Sequence, residues 1–306
     1  MKVTIVGGAG KVGAAAAFAL QMSGAARELA LIDVMAEAAA GEALDLVHGS
    51  ALCGPLEVRA GGYEAAQGSE VVVVTAGLRR RPDESRLQLI NRNASLFREI
   101  LARLGEVTLS EDAILLVVAN PVDVLTRIAL DAGWPPERAI GTGTLLDTVR
   151  FRSLLARRLA CDPRAVEAWI LGEHGDSMVP VWSRCSIGGI PLASYPGFDE
   201  GVGREIFQAV RTAGADMIRL KSGAGYAIGL CVREVVEAIG ADARRPLPLS
   251  TLQRGACGIE GICLSLPTVI GRQGVCAVLE PDLAPEELDA LRASAAVLRE
   301  TMANLG

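Results

Sequence analysis

Histidine occurs only twice in the 306 residues, and one of the two, His174, stands in Leu171-Gly172-Glu173-His174-Gly175-Asp176-Ser177, downstream of Leu146-Asp147-Thr148-Val149-Arg150. An imidazole titrates near neutrality and can give or take a proton. An aspartate can hold it, and an arginine can clamp a carboxylate through two charge-assisted hydrogen bonds. Those three residue types are what the oxidation of a 2-hydroxy acid requires. His48 lacks such a setting and reads as structural.

A second constellation opens the chain. Gly8-x-Gly10-x-x-Gly13 follows the strand-like residues 3–6 directly and leads into a helical pattern, the context that raises a weak glycine motif to a strong one. Gly8 is expected to make the tight turn, Gly10 to let a pyrophosphate approach the backbone, and Gly13 to pack helix against strand; the phosphates then meet a helix N-terminus. Asp33 falls at the end of the second strand-like run. A carboxylate there accepts the adenosine ribose hydroxyls and repels a 2′-phosphate, so the expected cofactor is NAD rather than NADP.

Positioning these groups calls for an α/β fold. Residues 3–6, 29–32, 71–75 and 114–119 are short apolar runs separated by helical stretches, the pattern of a doubly wound parallel sheet of the Rossmann kind. After about residue 143 the pattern changes. A helix over 145–159 leads to an extended 166–171, turns near Gly188-Gly189, and long helical stretches over 201–239 that Ser222-Gly223-Ala224-Gly225-Tyr226 bends or interrupts. Strand-like pieces at 247–252, 262–266 and 275–279 precede a helix beginning at Pro285. The expected division is an NAD-binding domain over 1–143 and a mixed α/β substrate-binding catalytic domain over 144–306.

Composition narrows the class. Half of the residues are hydrophobic, enough for a substantial core. The seven cysteines are scattered, without a C-x-x-C or Cys/His cluster, so neither disulfides nor a metal site is expected, and the reading is a reducing cytoplasm. No apolar run reaches membrane-span length and no signal-peptide pattern is present, so no membrane partner is expected. A net charge of −6 and few aromatic residues argue against nucleic acid, despite Arg79-Arg80-Arg81.

With Thr75-Ala76-Gly77, Asn120-Pro121-Val122-Asp123, Leu146-Asp147-Thr148-Val149-Arg150-Phe151-Arg152 and Gly172-Glu173-His174-Gly175-Asp176 in this order after the glycine turn, nearly the whole chain resembles the lactate/malate dehydrogenase family. The resemblance implies that His174 is the proton donor and acceptor, with Asp147 as its partner. Arg150 would bind the substrate's C1 carboxylate, Asn120 the reacting oxygen, and Arg86, carried on a mobile loop, would polarise the carbonyl. Val118, Asn120 and Asn93 would join Gly8, Gly10, Gly13 and Asp33 at the cofactor, and Asn120-Pro121 would be a cis peptide. From the residues alone, Asp147 and Arg150 also suit an ordinary helix ion pair. The helix around Gly41-Glu42-Ala43-Leu44-Asp45-Leu46 resembles the family's subunit-pairing helix, with small residues such as Ala38, Ala39 and Gly41, so a homodimer or homotetramer is expected.

The substrate expectation rests on the loop 76–86. Arg80 stands where the family's lactate enzymes resemble one another in carrying Gln and its malate enzymes in carrying Arg, and Ala224 stands where the malate branch has a residue smaller than Thr. A buried arginine facing a methyl would cost on the order of 3 to 5 kcal/mol, so Arg80 selects a diacid. The expectation is therefore an NAD-dependent malate dehydrogenase of the tricarboxylic acid cycle, acting on malate and oxaloacetate. Lactate or another 2-hydroxy acid is the alternative, and a non-catalytic NAD-binding module is the alternative of another class. Asp83-Glu84, Glu173 and Val181-Trp182-Ser183 look more like the lactate branch. Glu167 replaces the histidine of fructose-bisphosphate-activated lactate enzymes, a departure at that effector site.

Overall fold

The computed structural model describes residues 1–79, 81 and 83–305. Strands β1 (Lys2–Val6), β2 (Glu28–Ile32), β3 (Glu57–Gly61), β4 (Val71–Val74), β5 (Ile114–Val117) and β6 (Ala139–Gly141) run parallel in the spatial order β3-β2-β1-β4-β5-β6. Helices α1 (Lys11–Ser23), α2 (Ala36–Cys53), α3 (Arg86–Gly105) and α4 (Val122–Asp131) connect them. Val71–Val74 and Ile114–Val117 are buried at every position, because helices cover both faces of the sheet. The strand order reverses between β1 and β4, which leaves a crevice beyond their C-terminal ends.

In this first half, β3 and β6 are not among the expected apolar runs. β3, Glu-Val-Arg-Ala-Gly, is an edge strand that alternates exposed and half-buried positions, and β6 has only three residues. Neither carries the continuous apolar signal by which the interior strands are recognised.

The second half begins with α5 (Leu145–Leu159), over the residues expected to be helical. The extended segment 166–171 divides into β7 (Val166–Glu167) and β8 (Ile170–Leu171), which pair with β10 (Ser186–Ile187) and β9 (Val179–Pro180) respectively; β11 (Ile190–Pro191) pairs with β10. Helices α6 (Glu200–Lys221) and α7 (Tyr226–Gly240) are separated by left-handed backbone at Ser222 and positive φ at Gly223, so the small-residue segment does break the helix. β12 (Arg245–Arg254), β13 (Glu260–Gly271) and β14 (Gly274–Val278) form an antiparallel run that joins β6 through Ser250 opposite Gly141, making one nine-stranded sheet. The terminal helix α8 (Pro285–Ala303) packs Leu291, Ala295 and Leu298 with residues of β13.

The two halves meet closely where α7 crosses α1. A Cβ on Gly229 would come within 2.7 Å of the Ala15 carbonyl, and only a glycine admits that approach. Ile228, Val232 and Val235 of α7 share a core cluster with Ala16 and Leu20 of α1 and with Val3 and Ile5 of β1. The cleft is lined by residues of both halves.

Candidate active site

The nucleotide end is a backbone structure. Gly7 has φ +94°, and a Cβ there would lie 2.6 Å from Thr75 Oγ1, so the tight turn expected of Gly8 is made one residue earlier. Gly8 instead packs on Leu31, where a Cβ would fall 2.8 Å from Leu31 Cβ. A Cβ on Gly13 would meet the Gly7 carbonyl oxygen at 2.1 Å, while one on Gly10 would have no neighbour nearer than 3.2 Å. Gly10 is thus the less crowded position, beside the cleft, and Gly13 the packing position. Asp33 is fixed against this turn: Oδ2 accepts from Ala9 N and Oδ1 from Met35 N, each at 3.0 Å. A cradle that extra side-chain atoms would fill, followed by a helix start and flanked by a carboxylate, fits a dinucleotide.

At the other end of the cleft, α5, α4 and the loop after β8 converge. Asp147, in the first turn of α5, is buried, and its two oxygens are divided: Oδ2 lies 2.5 Å from His174 Nδ1, and Oδ1 accepts from Arg150 Nη1 at 3.1 Å. The helix ion pair and the His partnership therefore coexist. Gly172, at φ +87°, turns the chain from β8 into the His174 loop, where a side chain would strike Ser294 Oγ. Burial disfavours the charged imidazole, but the charge and hydrogen bond of Asp147, with the charge of Asp123 added, outweigh burial and the opposing charge of Arg150, so the His174 pKa is raised from 6.5.

Val118, Asn120, Asp147, Arg150 and His174 line the same cleft as Gly10 and Thr75, with Arg79 at its rim. Asn120-Pro121 is cis. Asn93 lies beneath the cleft rather than on its wall: it is 3% exposed, its Oδ1 accepts from Leu78 N at 2.7 Å, and its Nδ2 donates to Leu89 O. Arg86 is the first residue of α3, after a capping box between Ser85 and Gln88, and not a residue within the loop. Its guanidinium pairs with Asp176 at 2.8 Å and Glu173 at 3.5 Å, the acids flanking His174. Arg80, the expected specificity residue, lies outside the described residues. Glu167 accepts from Ser186, and Arg152 donates to the Ala168 carbonyl under the Trp169 ring.

Two features escaped the reading of motifs. Asp123 is buried on α4 and holds the His174 backbone N–H at 2.8 Å; its signal was a lone acid in the apolar run Val122-Asp123-Val124-Leu125. Glu173 is bound by Ser177 Oγ and anchored to α8, since its own N–H donates to Ser294 Oγ at 2.9 Å. No sequence signal ties Ser294 to it. Among the described residues no group of acids, histidines and cysteines could hold a metal ion, and no helix is long and apolar enough to cross a membrane.

Residues 1–141 match the lactate/malate dehydrogenase NAD binding domain, and residues 144–305 match the alpha/beta C-terminal domain of the same enzymes. The chain belongs to the lactate/malate dehydrogenase family. It is an NAD-dependent 2-hydroxy acid dehydrogenase, and NAD is its cofactor. Proteins named L-lactate dehydrogenase from Gloeobacter violaceus and a Synechococcus species are each 44% identical to it over 304 residues, covering 96% and 99% of this chain and 91% and 98% of theirs. Among solved structures, the minor L-lactate dehydrogenase from Enterococcus mundtii aligns with a TM-score of 0.95 at 36% identity, over 100% of this chain and 98% of that one. A lactate dehydrogenase from a deep-sea metagenome library aligns at 0.94 and 34%, over 99% and 98%.

These relatives overturn the expectation of malate and of a tricarboxylic acid cycle enzyme. Whole-chain likeness to L-lactate dehydrogenases outweighs one loop position and Ala224. The physical weakness of that expectation is visible at the rim: Arg86 and Arg92 already face carboxylates, Asp176 with Glu173 and Glu84 respectively, so arginines near this loop are no measure of a second substrate carboxylate. Glu173, Asp83-Glu84 and Val181-Trp182-Ser183 were the better indicators.

Proposed function

We propose that the chain is an L-lactate dehydrogenase, interconverting L-lactate and pyruvate, with residues 1–143 holding the cofactor and 144–306 most of the substrate site. The observation that carries this reading is a His174–Asp147–Arg150 cluster set in a chain 44% identical, nearly end to end, to proteins of that name. Gly10, Val118, Asn120 and Asp33 would hold NAD, which accepts or supplies the hydride at the substrate's C2.

The chain's own residues do the rest. Arg150, beside Asp147 at the base of the cleft, fixes the substrate carboxylate through charge-assisted hydrogen bonds. With Nδ1 committed to Asp147, His174 presents Nε2 to the reacting oxygen: protonated, it donates to the pyruvate carbonyl, and neutral, it takes the lactate hydroxyl proton. Asp147 holds the ring and favours the imidazolium. Asn120 hydrogen-bonds the same oxygen, and Arg86 polarises it after exchanging Asp176 and Glu173 for substrate. Subunit pairing through α2 accords with the exposed Leu44, Val47 and Leu52 on that helix and Phe18 and Met22 on the neighbouring α1. A monomeric mass by light scattering at micromolar protein would remove the pairing.

The substrate reading is tested by NADH oxidation with pyruvate and oxaloacetate side by side. Pyruvate is expected to lead in kcat/KM by at least ~10-fold, about 1.4 kcal/mol. A preference for oxaloacetate would overturn the assignment.

A further inference from the structure

Lys11 stands at the unfavourable end of its helix. It is one of only three lysines in the chain and the first residue of α1, where the helix dipole is positive and disfavours a cation. No acid occupies that first turn, and the Asp33 carboxylate is taken up by the Ala9 and Met35 N–H groups. The ammonium instead reaches the other half of the chain and donates to the carbonyl of Lys221, the last residue of α6, where the dipole is negative. Just beyond, the backbone turns left-handed at Ser222, and α6 closes with two bonds, from Ser222 N to Ile218 O and from Gly223 N to Met217 O, each 2.9 Å. The main chain of Lys11 meets the same break: a Cβ on Gly225 would lie 3.0 Å from the Lys11 carbonyl oxygen. Gly10, Lys11, Ser222, Gly223 and Ala224 all line the one cleft. Helix stability does not account for a lysine here, whereas an anion beside Gly10 would.

We propose that Lys11 is a cofactor-responsive strap: without cofactor its ammonium ties down the end of α6, and with cofactor it leaves that carbonyl for the pyrophosphate of NAD, freeing the break between α6 and α7. The inference rests on the pyrophosphate lying at Gly10. Hydrogen bonds between two charged groups are roughly twice as strong as those between neutral ones, so the exchange favours the phosphate over the carbonyl. By linkage, the strap opposes cofactor binding by as much as the cofactor loosens α6. The nucleotide turn and the α6–α7 break are thereby coupled through one side chain.

The test is amide hydrogen exchange at Ser222 and Gly223, with ligand affinities measured alongside, in the wild type, Lys11→Gln and Gly10→Ala. Saturating ADP should raise exchange of these two amides ~2 to 5-fold in the wild type, the loss of one cation at a helix C-terminus. Adenosine, which carries no phosphate, should leave it unchanged. Lys11→Gln should show the raised rate with no ligand present, and ADP should add nothing to it. The same variant should bind NADH and ADP ~5 to 10-fold more weakly by fluorescence titration and competition, with its adenosine affinity within ~2-fold of wild type. Wild-type amides that saturating ADP slows or leaves unchanged overturn the strap, as does a Lys11→Gln protein that loses adenosine as severely as ADP. Gly10→Ala separates this inference from the placement of the cofactor. If Gly10→Ala weakens NADH and Lys11→Gln does not, the strap falls and the placement stands; if neither weakens it, both fall. Should Lys11→Gln not fold, Lys11→Met carries the same comparison.

Discussion

At the nucleotide end of the cleft the working feature is what glycines lack, whereas at the catalytic end it is side chains that meet from α4, α5 and the loop after β8. Gly7, Gly8, Gly10 and Gly13 lie within seven residues; a Cβ would strike Thr75 at Gly7, Leu31 at Gly8 and the Gly7 carbonyl at Gly13, and would crowd that same carbonyl far less at Gly10. Asp123, Asp147 and His174 are far apart in sequence, yet both acids hydrogen-bond His174, one at its backbone and one at its ring. The first arrangement is local backbone geometry, tolerant of little and encoded in adjacent residues. The second is long-range and electrostatic, with charges that can be altered one at a time while the fold persists.

The largest break in that comparison is expected at Asp147. Asp147→Asn keeps the shape and removes the anion that most favours the imidazolium, so pyruvate kcat/KM should fall ~10² to 10⁴-fold, with the descending limb displaced to lower pH. The sign follows from the raised His174 pKa: reduction needs the protonated ring and weakens as pH rises through that pKa, whereas lactate oxidation weakens as pH falls through it. The same shift gives the folded protein a stability contribution that is complete below 6.5 and is lost as pH rises through the folded value. A variant whose limb coincided with wild type would separate Asp147 from the proton.

Smaller, and aimed at the other end, are two glycine replacements. Gly13→Ala places a methyl 2.1 Å from the Gly7 oxygen and should lower the melting temperature by roughly 5 to 10 °C, following ~2 to 3 kcal/mol of strain. Gly10→Ala brings a methyl only to 3.2 Å from the Gly7 oxygen, a tight contact that a small shift relieves, and should lower the melting temperature far less than Gly13→Ala while binding NADH ~10-fold more weakly in a fluorescence titration. Equal behaviour of the two variants would show that the glycines are not divided between packing and ligand approach.

An effect of similar size is expected on cofactor choice. Asp33→Ser removes the carboxylate proposed to meet the adenosine ribose, and the NADH-over-NADPH ratio of kcat/KM should fall ~10-fold, since a 2′-phosphate would no longer meet a carboxylate. An unchanged ratio would locate the preference elsewhere.

Much of this architecture could be read before any coordinates. Interior strands announce themselves because both faces are buried and the run is wholly apolar, as in Val71–Val74; β3 and β6 do not, being an edge and a three-residue stub. The glycine turn was legible as a unit, but the tight turn was assigned to Gly8 because spacing cannot say which glycine has positive φ; that is Gly7. The substrate was not legible because three consecutive arginines in a loop do not, by their order alone, say what any of them faces.

Sequence by itself determined the family of chemistry: a histidine set between glycines, an aspartate and an arginine one helical turn apart, and a dinucleotide turn with its acid, all of them local patterns whose meaning follows from bond geometry and residue type. Tertiary structure alone decided how charge is shared among them. Asp147 divides its oxygens between His174 and Arg150, Asp123 reaches the His174 backbone from α4, and Arg86 pairs with the acids beside the site. Those outcomes depend on distances between residues remote in the chain and on how thoroughly each is removed from water, and neither quantity is written in the order of the amino acids.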